Sequence, residues 1–236
     1  MQLENYYTEN NGFLQFSRKQ ASDFAKHVAG DFNPIHDEDA KRFCVPGDLL
    51  FSVVLAREGI SESMHVEFSG MISDTTQLMI SHQDNGKLTI IDANGKSYLN
   101  IQREGQCRKD PMLAEHVAQN YVQFSGMNFP HIMVPLMKEA NAMINPDRPL
   151  VIYESMSLSF NHLDFTNPCV ELTQSEIDVD GKKGSVTLSF CFKEGDEIIG
   201  QGKKRMIMSG LRPYCQETVD ELVTRFNQRK QDFAFA

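Results

Sequence analysis

Asp31 and His36 stand five positions apart in the stretch Gly30-Asp31-Phe32-Asn33-Pro34-Ile35-His36, two titratable groups of the types that transfer protons. A carboxylate and an imidazole held together can act as acid and base on one substrate or one water. The restraint comes from Asn33-Pro34. Proline fixes its own φ and pushes the residue before it out of helical conformations, so both side chains are expected on one tight connection. Charge developing on a carbonyl oxygen during such chemistry needs N–H donors, which the start of a helix supplies together with its dipole. Gly47 opens the next apolar run and, lacking a side chain, would let a carbonyl approach closely. Asp48 beside it is read as the cap of that helix.

The elements that must position these groups are readable on either side. Ser17 or Ser22 can cap a short helix with Phe24, Ala25 and Val28 on one face, closed by Gly30. After Pro46-Gly47-Asp48 the run DLLFSVVLAREG is apolar nearly all round and ends at Gly59, the pattern of a buried helix. Strand-like stretches HVEFSGMI, TQLMISHQD, KLTIIDANG and KSYLNIQREG follow, separated by Asp84-Asn85-Gly86 and Asn94-Gly95 turns. The second half repeats the order: a helix in PHIMVPLMKEANAMI with its regular part from Pro135, then LVIYESMSLSF, CVELTQSEIDVDG, GSVTLSFCFKEG and EIIGQGKKRMIMSG. The segment QETVDELVTRFNQRKQDF places Val219, Leu222, Val223 and Phe226 at helical spacing, for docking on the body or on a partner. One sheet cannot cover a wholly apolar helix, so two such units must pack together. The expected class is α+β, a double hot-dog in which two antiparallel sheets each wrap a central helix. Its N-terminal unit, 1–110, carries the Asp31/His36 loop, and its C-terminal unit, 111–236, lacks that loop and adds the last helix.

The stretch FAKHVAGDFNPIHDEDA resembles the signature of the MaoC-like dehydratases and (R)-specific enoyl-CoA hydratases, through Gly30, Asp31, Asn33, Pro34, Ile35, His36 and Ala40. The close match covers about the first quarter of the chain; farther on the likeness is one of layout. The resemblance implies a hydro-lyase that interconverts trans-2-enoyl and (R)-3-hydroxyacyl thioesters in fatty acid metabolism, carried on CoA or an acyl carrier protein. Asp31 and His36 would share the acid and base work, and Asn33 with Pro34 would shape the turn. Ser52 would be the helical serine that faces the catalytic aspartate, and Gly47 would lie at the oxyanion position. Pro46-Gly47 stands where related hydratases carry His-Gly, and the stretch from His36 to Gly47 is shorter than theirs. Two alternatives stay open: a noncatalytic acyl-thioester-binding protein and an acyl-CoA thioesterase.

In the second half FSGMNFPHIMVP contains His131 without a carboxylate at matching spacing, so that unit is expected to shape an acyl tunnel and to do no chemistry. A net charge of −9 argues against nonspecific nucleic-acid binding, which needs a basic face. The runs Lys182-Lys183 and Lys203-Lys204-Arg205 read as solvated turns or edge strands. No stretch approaches the ~18 consecutive apolar residues of a membrane span, and a cytoplasmic location is expected. The five cysteines are scattered without CxxC spacing and read as reduced, structural thiols. Acidic residues in His36-Asp37-Glu38-Asp39-Ala40 suit a helix start better than a metal site, and neither metal nor cofactor is expected. Two linked units can close as a pseudo-dimeric monomer, while the last helix leaves room for a homodimer.

Overall fold

The computed structural model describes residues 1–234. After a 3-10 turn at Leu3–Tyr6 the first half forms a hairpin, β1 (Thr8–Asn10) and β2 (Phe13–Gln15), followed by α1 (Arg18–Asp23), which runs on as a π-helical stretch Phe24–Ala29. The connection to α2 (Gly47–Glu58) contains a single 3-10 turn at Pro34–His36; after α2 come β3 (Ile60–Phe68), β4 (Leu78–His82), β5 (Leu88–Asp92) and β6 (Ser97–Arg108). The second half consists of α3 (Pro111–Gly126), α4 (Asn128–His131), α5 (Met133–Glu139), β7 (Ala142–Met143), β8 (Val151–Phe160), β9 (Cys169–Asp180), β10 (Lys183–Glu194), β11 (Glu197–Ser209), β12 (Arg212–Pro213) and α6 (Gln216–Ala234).

Ten strands form one antiparallel sheet in the order β1-β2-β4-β5-β6-β3-β8-β11-β10-β9. The two halves are joined edge to edge where β3 pairs with β8, from Ser63↔Ser159 to Glu67↔Ser155. The class is α+β and the arrangement a double hot-dog, its two sheets continuous across that seam. From Leu49 to Leu55 no residue of α2 is more than 2% exposed, so the helix has no face to turn to water and is enclosed from all sides. Each of its Leu, Val and Phe side chains contributes about 1.5–3 kcal/mol by leaving water. The enclosing core draws on β3, β5 and β6, on β8 and β10, and on α3, whose Tyr121 meets Phe51 edge-on at 5.5 Å.

The second half departs from the expected helix. The long helix is α3, capped by Asp110, whose carboxylate accepts from the Met112 and Leu113 N–H groups, with Pro111 at its first position. Its signals were on the chain: Leu113, Ala114, Val117, Ala118, Tyr121 and Val122 recur at helical spacing and are all buried. The stretch expected to be helical, 130–144, holds the last two residues of α4 and then the seven residues of α5, which starts at Met133 instead of Pro135. Phe129, with φ −107 and ψ 133, interrupts the path just before it. The last helix, α6, lies where it was read, with Val219 buried and Leu222 and Val223 packed on a second cluster formed by α5, β10 and β11. Among the described residues no helix is long and apolar enough to cross a membrane.

Candidate functional site

Ser17 begins the segment that delivers Asp31, and its side chain forms a reciprocal capping box with Gln20. The π-helical stretch ends at Gly30, whose φ of +65 is a left-handed conformation that suits glycine. Two short hydrogen bonds then orient the carboxylate. Asp31 N–H donates to Ala25 O at 2.8 Å, and Asp31 Oδ1 accepts from Asn33 N–H at 2.8 Å. Asn33 in turn accepts from Ile35 N–H at 3.2 Å, so its side chain is spent on the turn around Pro34.

His36 Nδ1 lies 2.7 Å from the carbonyl oxygen of Cys44. A carbonyl can only accept, so Nδ1 carries the proton, and in the neutral ring Nε2 is the free base. That nitrogen faces Asp31 Oδ2 at 3.7 Å, too long for a direct hydrogen bond but close enough for both atoms to reach one small polar group. The His36 side chain is 12% exposed and that of Asp31 32%, so the pair is recessed with the carboxylate nearer solvent. Cys44 is three residues before Gly47, and Cys44 N–H also donates to Ile35 O. The imidazole and the start of α2 are therefore tied side by side.

At that start Pro46 occupies the cap position and no side chain caps the helix. Leu49 and Leu50 N–H point to Pro46 O, whereas the N–H groups of Gly47 and Asp48 have no hydrogen-bond partner among the described residues. Both residues are half-buried, unlike the buried turn that follows. The space that a side chain at Gly47 would fill is taken by Phe68, whose Cε1 lies 2.7 Å from the ideal Cβ position. The absence of a side chain thus serves Phe68 packing, and Phe68 stands over the place expected for a carbonyl.

Two expectations on α2 are corrected. Asp48 does not cap the helix: its Oδ2 accepts from Ser125 Oγ at 2.5 Å, because the carboxylate turns into the α2–α3 interface. Ser52 is fully buried and donates to Asp48 O at 2.8 Å, its own helix's carbonyl four residues back, so its hydroxyl is satisfied without Asp31.

The residues that the sequence reading passed over form a polar cluster beneath the loop. Lys204 on β11 is 4% exposed and donates to Ser125 Oγ at 2.5 Å, completing a Lys204–Ser125–Asp48 chain. Burial pushes the Asp48 carboxyl up and the Lys204 ammonium down, while each charge draws the other back toward ionisation. Asp31 acts electrostatically on both, and His36 on Asp48. Tyr121 and Tyr153 share a hydroxyl–hydroxyl hydrogen bond, and burial holds both phenols well above their ordinary range. The Lys204 ammonium lies 4.3 Å from the Tyr153 ring, which stacks on Phe68 at 4.3 Å. Contacts thus run in a circuit from Gly47 through Phe68, Tyr153, Lys204 and Ser125 back to Asp48. The expectation that Lys203-Lys204-Arg205 is a solvated run fails at its middle member. Strand alternation puts Gly202, Lys204, Met206 and Met208 on the inner face, and that period-2 pattern was the available signal.

A roof lies over the loop. Phe226 of α6 meets Phe32 at 5.9 Å and Phe129 at 5.4 Å, and Phe233 meets Phe32 at 5.7 Å and His27 at 4.6 Å. Asp37 pairs with Arg229 of α6 and, at 2.9 Å, with Lys26. A shallow groove of about 580 Å³ runs along α6 past Asp220 and Thr224, away from Asp31 and His36.

Several solved structures are similar to the chain. A MaoC-like dehydratase from Phytophthora capsici is 13% identical, with a TM-score of 0.35 over 80% of this chain and 92% of its own. An acyl-CoA thioesterase II from Mycobacterium marinum is 10% identical, with a TM-score of 0.44 over 91% and 99%. A conserved protein of unknown function with a hot dog fold from Alicyclobacillus acidocaldarius is 10% identical, with a TM-score of 0.45 over 91% and 99%. No curated protein matches the sequence. The family model that does match spans residues 1–217, nearly the whole chain, including Asp31, His36 and the cluster around Lys204 but not the roof residues of α6, and the chain belongs to that family, Protein of unknown function (DUF3581).

Proposed function

We propose that the chain is a hydro-lyase acting on an acyl thioester, interconverting trans-2-enoyl and (R)-3-hydroxyacyl forms, with Asp31 and His36 as its acid and base. The observation that carries the reading is the 3.7 Å approach of His36 Nε2 to Asp31 Oδ2. The ring is fixed by Cys44 O, and the unpaired N–H groups of α2 lie a few residues away. Hydration needs one group to take a proton from water as it attacks C3 and another to protonate C2, while the thioester oxygen gains negative charge. Here Nε2 and the Asp31 carboxylate can share one proton: it leaves a water held between them as the water oxygen bonds to C3, and is passed on to C2. The Gly47 and Asp48 N–H groups, at the positive end of a buried helix, can receive the oxygen once Phe68 turns aside. Asn33 holds the turn, and Ser52 supports the first turn of α2.

The test is the loss of absorbance of the conjugated enoyl thioester, measured with CoA and acyl carrier protein substrates over a range of chain lengths. Asp31→Asn and His36→Ala should each lose at least ~10²-fold in turnover, the scale of a missing acid or base. Full turnover in both variants rejects the assignment.

Asp48 favours a second reading. Its Oδ1 is enclosed without a hydrogen-bond partner among the described residues, a position from which a carboxylate could hold a hydrolytic water. Free thiol released from acyl-CoA, lost in Asp48→Asn and kept in His36→Ala, would establish a thioesterase. Retention of acyl-CoA without conversion would identify a noncatalytic binding protein.

A further inference from the structure

We infer that Lys204, contributed by the second half of the chain, is a positioning residue for the site of the first: acting through Ser125, it neutralises Asp48 and so keeps the N-terminal end of α2 able to accept negative charge on a thioester oxygen. The inference rests on the hydro-lyase reading for its substrate and on independent geometry for its residues.

The argument begins with a conflict built into α2. The unpaired N–H groups of Gly47 and Asp48 are the natural seat for an anionic oxygen, yet Asp48 itself carries a carboxylate there. If Asp48 were only a cap, its charge would oppose whatever bound beside it. The structure turns that carboxylate inward instead, onto Ser125 Oγ, and places the Lys204 ammonium on the far side of the same hydroxyl. Ser125 accepts from the lysine and donates to the aspartate, so one hydroxyl joins the two charges. Both ends suit their helices. Asp48 is in the first turn of α2, and Ser125 with its lysine is at the last turn of α3, where the dipoles favour an anion and a cation respectively.

A lysine in this place needs a reason. β11 is an interior strand, and Lys204 lies between Gly202 and Met206 on its inner face, where an apolar side chain would cost nothing in desolvation. Burying one ammonium to match one carboxylate is explained when the carboxylate sits next to a group whose charge changes. Asp31 and His36, the groups proposed to exchange protons, lie within electrostatic reach of this pair. A unit charge about 5 Å from the reacting oxygen, at an effective dielectric constant of ~20, changes a rate on the order of 10²-fold. Removing Lys204 alone should uncover a penalty of that size wherever Asp48 stays ionised, and because burial favours the protonated carboxyl the penalty should grow as pH rises.

The experiment uses the full chain and three variants, Lys204→Met, Asp48→Asn and the double variant, each checked for folding by its thermal midpoint. With enoyl thioester at alkaline pH, Lys204→Met should lower kcat about 10²-fold while KM changes less than about threefold, and the loss should shrink as pH falls and Asp48 takes up a proton. Asp48→Asn/Lys204→Met should recover to within about tenfold of the wild type, because the charge and its compensator leave together. A second readout needs no turnover: acetoacetyl-CoA is bound and its enolate fraction read from ultraviolet absorbance. That fraction should fall in Lys204→Met and return in the double variant. A folded Lys204→Met with unchanged kcat and unchanged enolate fraction overturns the inference, as does a double variant no better than the single one. A wild type that stabilises the bound enolate without converting enoyl thioesters refutes the hydro-lyase reading and leaves the Lys204 assignment standing. One that neither binds nor converts overturns both.

Discussion

Replacing Gly126 by alanine tests whether the two halves of the chain fix the Asp31 loop jointly. Gly126 is the last residue of α3, and a methyl group there would lie 1.9 Å from Ala29 O and 2.7 Å from Ala29 C. Helix propensity alone favours alanine by about 0.8–1 kcal/mol. The contact, however, is with backbone, which cannot rotate away as a side chain would. A close carbon–oxygen contact is about 3.3 Å, so α3 and the π-helical stretch must separate by roughly 1.4 Å. Overpacking of this kind costs about 1–3 kcal/mol, and at the upper end the net loss is about 2 kcal/mol after the helical gain. For a chain of this size that lowers the thermal midpoint by about 4–8 °C. Ala29 is two residues before Asp31, so the displacement passes directly to the carboxylate. Misplacement of a reacting group by about 1 Å can cost ~10²-fold in rate. Calorimetry and enoyl thioester turnover on Gly126→Ala, beside the exposed neighbour Met127→Ala, provide the assay. A Gly126→Ala protein with wild-type midpoint and turnover would show that the halves touch there without constraining each other.

Three further outcomes follow from local features. Ser17→Ala removes the capping box and should cost about 1 kcal/mol in a urea titration. Asp110 is held below its ordinary carboxylate range by the Leu113 N–H and by Arg108, so its stabilising effect is complete above its unfolded value and lost as pH falls through the lowered native one. Asp110→Asn should therefore flatten the acid limb of the stability profile below about pH 4, read by thermal midpoints across pH. Phe226→Ala removes the edge contacts to both Phe32 and Phe129, and amide exchange across residues 30–36 should rise while the core of α2 stays protected.

What could be read from the chain divides along physical lines. Local rules carried the loop: Asn33-Pro34 dictates an extended turn, Gly30 a left-handed stop, and the structure brings Asp31 and His36 within reach of one group. Periodicity carried α2, α6 and the long strands of each half but not their order in the sheet, where β3 lies beside β6 and β8 beside β11 instead of each next to the strand that follows it. The misses at Asp48 and Lys204 share a cause, since each depends on a partner distant in sequence. Asp48 looked like a cap because aspartate at a helix start usually is one, and only Ser125, 77 residues away, turns it inward. Lys204 looked solvated because basic runs usually are, although alternation along β11 already assigned it to the inner face. The place of Ser52 could not be read from composition, because a buried hydroxyl is equally content with a carbonyl on its own helix. The omission of α3 was different, for Asp110-Pro111 followed by a 3.6-residue apolar pattern is a strong helix signal.

The β3–β8 seam has a consequence for how the molecule comes apart. The core around α2 takes Met64 and Val66 from one side of the seam and Met156, Leu158 and Phe190 from the other, so neither half can close its own interior. A protease nick between Lys109 and Pro111 should leave two fragments that migrate together under native conditions and separate only in denaturant. Expressed singly, each fragment would display a bare strand edge beside exposed apolar surface and should precipitate.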